Sequence, residues 1–131
     1  MKFYTYELPN KKHFGFFCHA YDRYGGFTHE SHLIDLNKNW IIESGKCHYI
    51  NRTWERFSYQ STLLQTVHKA IERRKESIKI NYQYENKNDN WRKKADRNAL
   101  QMRIDKDETI NDYRELLTLI APEYYTLESV A

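Results

Sequence analysis

This 131-residue chain predicts an α+β fold, with an N-terminal antiparallel sheet followed by an amphipathic helix and C-terminal helices. Two observations carry that expectation. Apolar and aromatic residues alternate with period two over the first fifty or so positions, and turn residues interrupt the runs. Beyond about residue 58 the apolar residues instead fall at helical spacing.

Lys2–Leu8 is rich in aromatic and β-branched residues and stops at Pro9-Asn10. His13–Tyr21 places Phe14, Phe16, Cys18 and Ala20 on one face and Phe17, His19 and Tyr21 on the other. Asp22–Gly26 reads as a loop, and His29–Asp35 as a weaker strand. Leu36-Asn37-Lys38-Asn39 has turn chemistry, because Asn tolerates the backbone angles a turn requires. Trp40–Glu43 and Cys47–Ile50 flank Ser44-Gly45-Lys46, which reads as a short hairpin loop. About four or five strands are therefore expected over roughly residues 2–50.

Leu63, Leu64, Val67, Ala70 and Ile71 form one apolar stripe, so a helix is expected over about 58–76, capped by Ser58 or Ser61. Residues 77–85 alternate Ile78, Ile80, Tyr82 and Tyr84 with polar neighbours, which favours an extended segment at the sheet edge. Asn86–Asn90 is a polar break. Residues 91–121 are expected to be helical, with a strongly basic helix over Trp91–Arg103 followed by a better defined last helix. Thr109 with Asp112 resembles a capping box, Ile110, Tyr113, Leu116, Leu117 and Ile120 form the stripe, and Pro122 ends it. The length fits a single domain over 1–131.

Composition narrows the function classes. No apolar run is long enough to cross a bilayer. The first residues carry neither an apolar h-region nor a cleavage site, so a cytoplasmic protein is expected. Two cysteines make no disulfide framework. Charge is polarised: residues 69–103 carry eleven basic and five acidic side chains, and residues 104–131 carry two and seven. Such polarity fits either helix faces that neutralise each other or a basic surface for nucleic acid or an acidic protein.

No motif amounts to an active site, so no catalytic residue, metal or cofactor is assigned. Cys18-His19, His29-Glu30-Ser31-His32 and Cys47-His48 contain zinc-ligand types, but their spacing departs from the common structural sites. His29 and His32 face opposite ways in a regular strand. Asp22, His29, Glu30, His32 and Asp35 could be recruited to a metal-dependent nuclease, which is held as the enzyme reading without a supporting spacing. The most distinctive segment joins the last strand to the first helix. There Trp54, Phe57 and Tyr59 read as packing anchors, and Arg52, Glu55, Arg56 and Gln60 as their polar surround. Trp, Tyr and Arg are also the types favoured at partner hot spots.

The run YINRTWERFSYQSTLLQTVHKAIE, Tyr49 to Glu72, resembles a segment of small accessory proteins of phages and mobile elements of low-GC Gram-positive bacteria. Inhibitors of host defence, anti-CRISPR proteins among them, occur beside such genes. The resemblance implies only such an origin; together with the missing catalytic motif and the many Tyr, Trp and Arg residues, the expectation is a non-enzymatic protein that binds and inhibits a bacterial defence nuclease, such as Cas9 with its guide RNA, in the host cytoplasm. Hot-spot residue types and the basic segment, rather than the resemblance, give the candidate partner-binding residues Arg52, Trp54, Arg56, Arg73, Arg74, Trp91, Arg92, Lys93, Lys94 and Arg97. The alternative is a nucleic-acid-binding accessory protein. In it Lys69, Arg73, Arg74, Lys75, Arg92, Lys93, Lys94 and Arg97 contact phosphates and Trp91 stacks on bases. A net charge of +3 argues against mimicry of DNA by the whole molecule.

Overall fold

The computed structural model describes residues 2–23, 25–49, 55–86 and 94–125. They form β1 (Lys2–Glu7), β2 (His13–Arg23), β3 (Gly26–Asp35), β4 (Trp40–Tyr49), α1 (Glu55–Asn86), α2 (Lys94–Lys106) and α3 (Glu108–Ile120). The strands pair antiparallel in the order β1-β2-β3-β4, so the sheet is a meander and the fold is α+β as predicted. Among the described residues no helix is long and apolar enough to cross a membrane.

Local chemistry sets the turns. Between β1 and β2, Lys11 takes a positive φ of 72° and its N–H donates to the Leu8 carbonyl at 3.0 Å. Between β3 and β4, the Asp35 carboxylate accepts from the backbone N–H groups of Asn37 and Lys38 at 2.9 and 3.0 Å. That is the side-chain mimic of a backbone turn expected of Asp, and Asn39 closes it at φ 63°.

The two sheet faces have different fates. Phe14, Phe16, Cys18, Ser31, Leu33 and His29 are buried on the face that meets the helices. Helix α1 crosses β3 and β4 on that side, and α3 packs beside α1. Leu63, Val67, Ala70 and Ile71 of α1 meet Ile110, Leu116, Leu117 and Ile120 of α3 in the same core. The Lys12 ammonium and the Asn10 amide both donate to Asp112 of α3, which fixes the first turn of the sheet to the last helix.

Tyr113 of α3 is buried, edge-on to Phe14 with ring centroids 6.1 Å apart. Burial, reinforced by the negative charge of Asp35, pushes its phenol up to about 12. Ultraviolet titration should therefore show a phenol ionising at about 12 that is absent from Tyr113→Phe. The folded value lies above the unfolded one of about 10, so this contribution to stability is present below that value and lost as pH rises towards the folded one.

Several sequence expectations require correction. Residues 77–85 are not an extended segment: α1 continues to Asn86. Ile78 and Tyr82 are buried at 8% and 7% exposure, while Ile80 and Tyr84 are 50% and 82% exposed. The buried pair, four apart, extends the helical stripe from Ile71, and no Gly or Pro interrupts it. Ser44-Gly45-Lys46 is not a hairpin loop but the middle of the continuous strand β4. Helix α1 begins by Glu55, so Ser58 and Ser61 lie inside it rather than at its cap. Helix α3 is capped by Asp107, whose carboxylate accepts from the Ile110 N–H, and not by Thr109. The two C-terminal helices expected over 91–121 are present as α2 and α3, meeting at Asp107, with residues 91–93 outside the described residues.

Candidate functional site

The sheet face turned away from the helices collects most of the chemistry among the described residues. Register arranges it in rows across the strands. Phe3, Phe17, His32 and Ser44 form one row; His19, Glu30 and Lys46 the next; Tyr21, Thr28 and His48 a third.

Aromatic groups occupy the β1 side of this face. Phe3 and Phe17 are 49% and 38% exposed and touch at a tilted angle, centroids 5.5 Å apart. At the β3–β4 end, Ile41 pairs with Ile34 on this face and is 62% exposed, while its neighbour Trp40 pairs with Asp35 on the helix side and is 56% exposed. Lys38 lies over the Trp40 ring, 4.9 Å from its centroid.

The centre is polar and ordered. His19 Nε2 is 3.0 Å from Glu30 Oε2, and Lys46 Nζ is 3.3 Å from Glu30 Oε1. His32 Nδ1 is 2.7 Å from Ser44 Oγ. The His19 and His32 rings stack at 6.0 Å with 17° between planes, and Tyr21 stacks on His19 at 5.7 Å. One donor atom each from His19, Glu30 and His32 lies within 4.8 Å of the others. His29, considered with them from the sequence, is fully buried on the opposite face.

The helix side presents its cations differently from the sequence expectation. Arg73 Nε is 3.0 Å and Lys69 Nζ 3.8 Å from the buried Glu43 carboxylate of β4. Arg74 makes two hydrogen bonds to Asp107, at 2.9 and 3.1 Å. Lys75 is 3.5 Å from Glu72. Arg103 pairs with Glu85 at 2.7 Å and covers the Tyr82 ring. Arg73 and Arg74 are thus tied to separate carboxylates on different elements. Arg97 is exposed and makes no ion pair among the described residues. Arg52, Trp54, Trp91, Arg92 and Lys93 lie outside the described residues. Arg56 and Lys94 fall within α1 and α2, with their side chains outside the described set.

A groove of about 780 Å³ runs between α1, α2 and the start of α3, with Ile78 and Met102 on its walls. Its charges answer one another, Arg74 to Asp107 and Arg103 to Glu85. The hydrogen bond to Asp107 holds the Arg74 guanidinium above its ordinary value, and Asp107 in turn is held below the ordinary carboxylate range. Burial opposes that depression, and the bonds from Arg74 and the Ile110 N–H outweigh it.

Sequence reasoning found His32 and Glu30 but assembled no group with His19. The three come from neighbouring strands, and only the β2–β3 register places His19 opposite Glu30. Alternation gave the signal that could have found it, because His19, Glu30 and His32 all fall on the non-core parity of their strands. Comparison with protein-family models, with curated proteins and with solved structures finds no match to this chain.

Proposed function

We propose that this chain acts by binding rather than catalysis, as an accessory protein that docks on a protein partner and blocks it. The observation that carries this reading is the sheet face turned away from the helices, where Phe3, Phe17 and Ile41 stay exposed around an ordered polar centre. Exposed aromatics beside fixed hydrogen-bonding groups are the makings of an interface with apolar anchors and polar surroundings. A phosphate backbone needs rows of free cations instead. On this face Lys46 is engaged by Glu30, and on the helices Lys69, Arg73, Arg74, Lys75 and Arg103 each have a carboxylate. Among the described residues of the candidate basic set, with Arg97 the exception, that distribution favours a protein surface over bare nucleic acid.

A bacterial defence nuclease is the partner class, and it rests on the resemblance of Tyr49–Glu72. The first test adds the chain to a DNA-cleavage reaction of Cas9 with its guide RNA. Cleavage should slow in proportion to the added protein. The double change Phe3→Ser with Phe17→Ser should weaken inhibition by about tenfold or more, the scale of two lost aromatic anchors. Both rings are substantially exposed, so circular dichroism should remain unchanged. Undiminished cleavage at micromolar protein would remove this partner. Binding of bare DNA with nanomolar affinity at physiological salt, far tighter than the roughly 10⁻⁴–10⁻⁶ M of non-specific contacts, would put the nucleic-acid reading first.

A further inference from the structure

We propose that His19, Glu30 and His32 form a binding site for a divalent transition-metal ion, zinc foremost, on the open face of the sheet. The inference is independent of the partner proposed above. Two imidazoles and one carboxylate are a donor set that zinc accepts, with a further position left for water or an outside ligand. The donor atoms lie within 4.8 Å of one another. Ligands about 2.1 Å from a tetrahedral ion stand roughly 3.4 Å apart, so small side-chain rotations complete the set.

The supporting frame is rigid. His19 sits on β2 and Glu30 and His32 on β3, strands paired on both sides within the sheet. A site on strands holds its geometry better than one on loops. Ser44 Oγ engages Nδ1 of His32 at 2.7 Å, which orients the ring and leaves Nε2 as its metal donor. Hydrogen bonding of the far imidazole nitrogen is the usual outer support of a histidine ligand. Lys46 holds Glu30 Oε1, while Oε2 faces His19. Entry of the ion replaces the His19–Glu30 contact with two coordinate bonds. Lys46, whose side chain is 57% exposed, keeps the other carboxylate oxygen or moves into water. The Glu30 side chain is 17% exposed and that of His19 35%, so the centre is partly shielded yet reachable.

The same residues could make a closed network of hydrogen bonds that needs no ion, and direct titration separates the two. The metal-stripped full chain is titrated with Zn²⁺ by calorimetry and with Co²⁺ by visible absorption. One saturable site per chain is expected, with a Co²⁺ spectrum of low coordination number. His19→Ala and His32→Ala should each weaken binding by about tenfold or more, and Ser44→Ala by a smaller factor. His13→Ala and His48→Ala should leave it unchanged. The wild-type chain supplies a second readout that needs no variant to fold. Imidazole ¹⁵N resonances of His19 and His32 should move with one equivalent of Zn²⁺ while those of the other histidines stay. Absence of saturable binding below roughly 100 μM, a scale of only about 5 kcal/mol, overturns the site. So does binding that survives His19→Ala with His32→Ala, or a Zn²⁺ shift confined to other histidines.

Discussion

Asp107→Ala is expected to remove about 2–3 kcal/mol of folding stability, because one carboxylate accepts from three donor groups on two residues. It accepts from the Ile110 N–H at 3.0 Å as the cap of α3, and from Arg74 of α1 through two nitrogens. Loss of an N-cap alone costs about 1 kcal/mol. Charge-assisted bonds from Arg74 add a comparable amount or more, reduced because the Arg74 side chain is 40% exposed and can rehydrate. Asp107→Asn retains a capping oxygen but loses the charge, so about half the effect should remain. Urea denaturation of the three proteins measures both.

The same carboxylate makes stability pH-dependent in a defined direction. Its folded value lies below the ordinary one, so its stabilisation is present above the unfolded value and lost as pH falls through the folded value. The wild type should lose this component on going from about pH 5 towards about pH 2, and Asp107→Asn should lack that part of the acid sensitivity. Equal acid sensitivity in both would assign the depressed group elsewhere.

How far the sequence could be read depended on whether a signal was local. Alternation in His13–Tyr21 separated the two faces of β2, and Phe14, Phe16 and Cys18 of one face enter the core while Ala20 of the same face stays exposed. The stripe Ile110, Tyr113, Leu116, Leu117, Ile120 likewise marked α3. The failures came where one residue type serves two purposes. Ile78 to Tyr84 satisfy a strand period and half of a helical one, and tertiary packing chose the helix. Asp107, two residues before the expected cap, was claimed by Arg74, thirty-three positions away, and Asp112 by Lys12, a hundred away. The His19–Glu30–His32 group depends on register between strands, and no linear spacing encodes register before the turns are known.

Gly45 shows the remaining ambiguity, and its replacement should be nearly as costly as that of Asp107. A Cβ built there lies 2.4 Å from Thr66 Oγ1 and 3.4 Å from Thr66 Cβ. Glycine therefore stands in mid-strand because α1 passes over β4 at this point, not because the chain turns. Thr66 has no easy retreat. It is fully buried, its hydroxyl donates to the Thr62 carbonyl at 2.7 Å, and a β-branched side chain in a helix has few rotamers. Gly45→Ala should cost roughly 2–3 kcal/mol, within the range for overpacked cores. In a Thr66→Ala background the same change should cost much less, giving a coupling of about 1–2 kcal/mol in a double-mutant cycle. Additive effects would mean that the close approach is not what requires glycine. The cycle also reports on the open face. Ser44 and Lys46 flank Gly45 and hold His32 and Glu30 from β4. A displaced β4 in Gly45→Ala should therefore weaken Zn²⁺ binding, and Thr66→Ala should restore it together with stability.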